Sequence, residues 1–356
     1  MSTVDKVDVA ASHGAAVIHP EDIVAEAEVK ARGYWELVWI RFRRDKIAVA
    51  SLGFIIFLFI TAWGLAPLFA SLLGHGPNDI FAQGVNQNTL IPVGPWTRIP
   101  ITPYPGATDL HGHLITGTAL LPLGGDSQLG RDLFLRLLYG ARTSLEVAFL
   151  ATAGSVSIGL VMGTAAGYFR GWVDTVISRL IEMVMVFPFL LFIIAIRVVA
   201  GPQLNGITFG GALAPGVFTL AFIFTLFGWF YPARIIRGVV LSLREKEFVE
   251  AARMTGASDM RIMRSHLLPH LVAPLVVYSS LIVAQNIIAE AGLSFLGLGI
   301  DPGTSSWGNI LSYAPQFYTE DPLLMVWPGL CILLTTLAFN LLGDGLRDAF
   351  DPRARI

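Results

Sequence analysis

Residues 47–73 form a run without a single charged side chain, and no other feature constrains the chain as tightly. A helix of about 20 apolar residues crosses the roughly 30 Å of hydrocarbon in a bilayer. Five further runs follow. Residues 147–169, 271–289 and 322–343 are also uncharged, and 215–233 is the second half of an uncharged stretch, 198–233, whose first half is rich in Gly, Pro and Asn. Residues 173–199 form the least clean run, with Asp174, Arg179 and Glu182 in the first half. Composition agrees with a membrane protein: 54% of residues are hydrophobic and 14% charged, against about 25% charged in a typical soluble domain. The expected fold is therefore all-α, with six transmembrane helices. Cys331 is the single cysteine, which excludes an intrachain disulfide. No basic stripe with interleaved aromatics supports nucleic-acid binding.

Six crossings put both termini on one side, and charge selects the side. If the termini are cytoplasmic, 19 of the 24 Lys and Arg residues lie inside, as the positive-inside bias requires. Arg98, Arg131, Arg136, Arg142 and Arg197 fall outside, and the cluster from Arg131 to Arg142 dissents from the pattern. The resulting organisation begins with a polar, acidic tail, 1–33, expected to be disordered in the cytoplasm. Residues 34–46 interleave aromatics with Arg41, Arg43, Arg44 and Lys46 and read as an interfacial helix. The first transmembrane helix occupies 47–73, and a long extracytoplasmic loop, 74–140, has prolines that favour extended backbone. A five-helix core occupies 141–346 and a cytoplasmic tail 347–356.

Between the fourth and fifth runs lies 244–269, REKEFVEAARMTGASDMRIMRSHLLP. Connections in bundles usually take only a few residues, so a helix-forming stretch of this length needs a purpose. Residues 245–254 favour helix, Gly256 permits a break, and Ser258 and Asp259 suit the start of a second helix over 260–267. Pro269 then marks where the next span begins. Such an elbow, with Ala251 and Ala252 on a small-residue face, can sit in another protein's groove. Alternatively, it braces its own bundle.

Glu250-Ala251-Ala252, Gly256 and Leu268-Pro269 resemble the EAA loop of permease subunits in ATP-binding-cassette (ABC) importers, although His266 stands where that pattern has an aliphatic residue. Three more stretches resemble the dipeptide, oligopeptide and nickel permeases: LGRDLFLRLLYGARTSL at 129–145, AEAGLSFLGLG at 289–299 with Ser306-Trp307-Gly308, and NLLGDGLRDAFDP at 340–352. Gly124-Gly125-Asp126 departs from the Gly-Thr-Asp usual upstream. The resemblance implies a permease that pairs with a homologous permease to enclose a pathway for dipeptides or oligopeptides, with nickel or oligosaccharides as alternatives. It also implies two cytoplasmic ATPase subunits holding ATP and Mg, an extracytoplasmic substrate-binding protein, and a bacterial inner (plasma) membrane. In such permeases Glu250, Ala251, Ala252, Gly256, Leu268 and Pro269 would belong to the coupling helices that dock on the ATPase.

The residues limit the chemistry independently. A phosphate-binding loop needs Gly-x-x-x-x-Gly-Lys-Ser/Thr, and none of the four lysines (Lys6, Lys30, Lys46, Lys246) follows a glycine. No catalytic arrangement stands out, so the chain is expected to be non-catalytic, with no cofactor of its own. His111 and His113 are two potential ligands without a third, so no metal site is assigned. Gly159, Gly163 and Gly167 place small residues on one helix stripe for packing. Glu182 is expected to pair with Arg179 one turn away. Glu290 and Asp344 are expected at water-accessible span ends, and Gln285 and Asn286 either face a pathway or join helices. A proton-coupled carrier is disfavoured by the scarcity of ionisable groups at mid-membrane. The substrate path is not legible.

Overall fold

A computed structural model describes residues 33–101, 117–199, 203 and 206–351. Three expectations fall outside the described residues: the disordered tail over 1–32, the His111–His113 pair, and the end of the second tail, 352–356.

Helix α1 (Tyr34–Arg44) ends at Asp45, whose side chain caps α2 (Lys46–Leu73) by accepting from the Ile47 and Ala48 amides at 2.9 and 3.1 Å. A wide turn at Ile60–Leu65 interrupts α2 without ending it, and Gly74 closes it in the left-handed conformation. Val38 and Phe42 of α1 pack on Ala349 near the other end of the chain, where Arg41 donates to the Asp351 carbonyl at 2.6 Å. The segment after Gly74 then folds. Strand β1 (Thr97–Pro100) pairs antiparallel with β2 (Thr118–Leu121), Thr97 opposite Leu121, and Phe81, Ile99, Ala119 and Leu121 bury a small core. Strands this short show too little alternation to be read from sequence.

Helix α3 (Leu133–Phe169) runs through the middle of the protein, contacting α2 and most later helices. It begins well before the expected span at 147, inside the segment read as loop. Arg136, Arg142 and Glu146 dilute its apolar content, but backbone hydrogen bonding in a helix does not depend on that content.

The third expected span is two helices, α4 (Gly171–Val186) and α5 (Phe189–Val199), bent by 78°. Pro188 explains the break: it lacks an N–H and holds Phe187 in extended backbone, ψ 130°. The fourth is also divided, into α6 (Val217–Gly228) and α7 (Phe230–Leu243), bent by 41°. The chain continues through α8 (Glu247–Met254), α9 (Asp259–Phe295), α10 (Trp307–Tyr313) and α11 (Leu323–Phe350). Among the described residues, α2, α3, α9 and α11 are long and apolar enough to cross a membrane, and each bent pair adds one more crossing if it acts as a span. The main core joins α2, α3, α9, α10 and α11, with Trp307 buried and its indole N–H on the Leu137 carbonyl at 3.0 Å.

Candidate functional site

The elbow at 244–269 forms as α8, a reversal, and the first turns of α9. Gly256 has φ +82°, a conformation glycine tolerates best, and Ser258 then occupies the N-cap position of α9. The second helix was expected to stop before Pro269. Instead α9 runs on as one element through a wide turn at Ile262–Leu267. That turn lies immediately before Pro269, whose missing N–H would otherwise interrupt the regular ladder. The second arm of the elbow is therefore continuous with the long helix that follows it.

The two alanines do not share a face. Neighbours in a helix are rotated by about 100°, and here Ala252 is 7% exposed while Ala251 faces out. Ala252 packs with Val249, Ile262 and Leu267 against Tyr168, Ile236, Val240 and Leu271. The outward surface carries Glu247, Phe248, Glu250, Ala251, Met254 (88% exposed) and Met260. Gly256, Leu268 and Pro269 are exposed as well. The expectation of a small-residue docking face built from both alanines is corrected accordingly. Tyr168 was not singled out in the sequence, because nothing local connects it with a segment some 80 positions later.

Gly159, Gly163 and Gly167 lie on α3 against α7. A Cβ at Gly159 would come within 2.7 Å of Pro232 Cγ, at Gly163 within 2.5 Å of the Ala233 carbonyl oxygen, and at Gly167 within 2.8 Å of Val240 Cβ. The stripe thus allows two backbones to touch. Glu182 pairs with Arg179 at 2.6 Å in an exposed position, and Asp344 is exposed. Glu290 is corrected. It is 0% exposed, accepting from the Ser144 and Ser294 hydroxyls at 2.8 and 2.7 Å. The segment after α9 folds back over it, and position within a span does not disclose that cover. Asn286 donates to Thr152 at 3.0 Å, joining α9 to α3, and also lines a phenylalanine-rich cavity of about 350 Å³ beside the α4–α5 bend. Gln285 is exposed. Among the described residues no group of three or more His, Cys, Asp or Glu side chains could hold a metal ion.

At the opposite end of α3, Arg131 and Arg136 share a carboxylate partner. Asp126 is buried between Arg131 at 2.9 Å and Arg136 at 2.6 Å. Asp132 caps α3 by accepting from the Phe134 and Leu135 amides and binds His75 Nε2 at 2.8 Å. Burial alone would lower the His75 pKa. The hydrogen bond and charge of Asp132 outweigh that, helped by the Leu73 carbonyl and Asp79, and hold the ring above its ordinary 6.5. A raised histidine pKa stabilises the fold fully below the unfolded-state value, and the contribution disappears as pH rises through the folded-state value. Thermal unfolding of the purified protein against pH should show this decline. His75→Gln should flatten it, and equal pH profiles for the two proteins would refute the assignment.

Residues 156–356 match the family described as binding-protein-dependent transport system inner membrane component, and residues 33–92 match the N-terminal TM domain of oligopeptide transport permease C. The chain is 39% identical over 94% of its length to a dipeptide transport system permease protein from Alkalihalophilus pseudofirmus, covering 95% of that protein. It is 34% identical over 92% of its length to a glutathione transport system permease protein from Escherichia coli, covering 93% of that one. A chain of the inward-facing MetNI methionine ABC transporter is similar at a TM-score of 0.49 and 19% identity, over 62% of this chain and 98% of that one. With more than half its length matched by one family and a relative aligned almost end to end, this multi-pass chain belongs to the binding-protein-dependent transport inner membrane components, the permeases of ABC importers.

Proposed function

We propose that the chain pairs with a homologous permease in a bacterial inner membrane and imports dipeptides or short oligopeptides, with both termini in the cytoplasm. Separate ATPase subunits holding ATP and Mg supply the energy, since the sequence contains no phosphate-binding loop. A substrate-binding protein delivers cargo from outside. The peptide assignment draws on relatives named for dipeptide, peptide and glutathione transport. Six crossings, the elbow on the cytoplasmic side and the ATPase docking role of Glu250, Ala251, Gly256, Leu268 and Pro269 belong to the same reading. Ala252 serves it from the inside, by holding the elbow's shape.

One observation carries the docking role. The elbow exposes Phe248, Met254 and Met260 beside Glu247, Glu250 and Arg253, and an apolar patch rimmed by charge marks a surface that another protein covers. Ala251→Arg should leave the permease in the membrane while the ATPase subunits no longer co-purify. Ala252→Arg should instead lower the yield of the permease itself, because the new charge enters the elbow's core. Normal ATPase recovery with Ala251→Arg would count against docking here. Uphill uptake by this chain alone, abolished by an uncoupler, would replace the whole reading with a secondary carrier.

A further inference from the structure

Four contacts from three segments meet on Tyr168, in the last turn of α3. Its hydroxyl donates to Asp259 Oδ1 at 2.6 Å, at the start of α9. The guanidinium of Arg253, from the end of α8, lies over its ring at 5.4 Å, and that of Arg244, following α7, at 5.8 Å. Arg244 also donates to the Tyr168 main-chain carbonyl. Two residues on, Arg170 pairs with Glu245. The ring itself is 3% exposed within the elbow's apolar core. Tyr168 thus holds both arms of the elbow and the segment leading into it.

The rest of α3 makes this junction mechanical. Through Gly159, Gly163 and Gly167 the helix lies backbone to backbone with α7, so the two move together. Beyond Phe169 the chain turns at Arg170 and Gly171, both at φ +56°, before α4 starts. A push on the elbow has covalent routes into α7 and α9 at its two ends and, through Tyr168, a direct route into α3. The covalent routes alone would reach α3 only through its packing on α7.

We propose that Tyr168 is the positioning residue that passes elbow motion to α3, and that its hydroxyl bond to Asp259 keeps the two arms of the elbow in register during the stroke. The proposal rests on the coupling reading above. The ring's apolar and cation–π contacts hold the elbow folded, whereas the hydroxyl bond adds direction to the transmitted movement. Deleting the hydroxyl should therefore spare assembly and impair coupling.

The test uses the complete importer, reconstituted in proteoliposomes with its ATPases and substrate-binding protein, comparing wild type with Tyr168→Phe, Asp259→Asn and the double variant. Read together are complex yield, ATP hydrolysed and labelled dipeptide accumulated. The expected result is normal yield, with about a tenfold rise in ATP consumed per peptide moved, the scale set by losing one hydrogen bond to a charged group. Both single variants should show it, and the double variant should be no worse, because one bond is removed in each case. An unchanged ATP-to-peptide ratio overturns the proposal, whether both activities stay normal or fall in parallel, and so does additivity in the double variant. Ala251→Arg, assayed alongside, separates the two readings. If its ATPases still bind, the docking surface has been misplaced; if they are lost while Tyr168→Phe keeps the wild-type ratio, only the role of Tyr168 fails.

Discussion

Asp126→Ala should produce the largest loss of folded protein of any single change outside the bilayer-facing surface. The carboxylate lies 2.9 Å from Arg131 Nη2 and 2.6 Å from Arg136 Nε, and the side chains of all three are 3% exposed or less. Ser127 donates to its other oxygen at 2.9 Å. The arginines have neutral partners as well: Arg131 reaches the Pro302 carbonyl at 3.2 Å, and Arg136 the Asn78 side chain at 2.8 Å. Neither neutral partner offsets a formal charge. Removing the carboxylate leaves two buried guanidiniums close together with their repulsion uncompensated, and breaking a buried pair of this kind costs about 3–5 kcal/mol. The damage should spread, because Arg131 ties the outer segment to the loop after α9 and Arg136 ties it to the start of α3. The measurement is the fraction of membrane-inserted protein resisting protease, followed by thermal unfolding in detergent. Wild-type resistance in Asp126→Ala would show that the cluster does not hold the outer segment. Asp126→Asn should fall between the two, since an amide keeps one acceptor oxygen but not the charge.

Gly163→Leu should be nearly as severe for a different reason. Even the first added atom would approach the Ala233 carbonyl oxygen to 2.5 Å and Ile236 Cβ to 2.9 Å. The first of these is backbone, so α3 and α7 must separate along the glycine stripe. Overpacking of this sort costs typically about 1–3 kcal/mol and can exceed that where backbone has to move. Gly163→Ala should give a smaller loss of the same sign. Gly238, on α7 itself, has no atom within 4 Å of the position a Cβ would take. There Gly→Ala should be neutral or stabilise by up to about 1 kcal/mol through helix propensity. Thermal unfolding of the three purified variants checks the contrast. Equal effects at Gly163 and Gly238 would mean that the stripe is not a contact surface.

Several of these features were visible in the sequence as residue types but not as relationships. The glycine spacing announced a close-packed face, but the partner helix lies some 70 positions further on. Arg131, Arg136 and Arg142 looked like a breach of the charge bias. In the fold they pair with Asp126 or Glu146, and the bias describes topology rather than burial. Glu290 sat near the end of an apolar run, where exposure is the usual expectation, and only the fold shows the cover over it. Ala251 and Ala252 were grouped because they are adjacent, yet adjacency in a helix separates faces. Pro188 was present in the third run, but its bend was not anticipated there, because counting apolar residues carries no information about direction.

What the sequence determined on its own is the solvent of each segment and the kind of machine. Long uncharged runs must leave water, whatever surrounds them, and four ordered motifs resemble one permease family. These properties are additive along the chain, so they can be read locally. The tertiary structure alone decided which charges are neutralised, which face of the elbow is free, and that Tyr168 lies between its arms. Those outcomes depend on distances between residues far apart in the chain. Burial and electrostatic pairing arise only when separate helices pack, so no local window contains them.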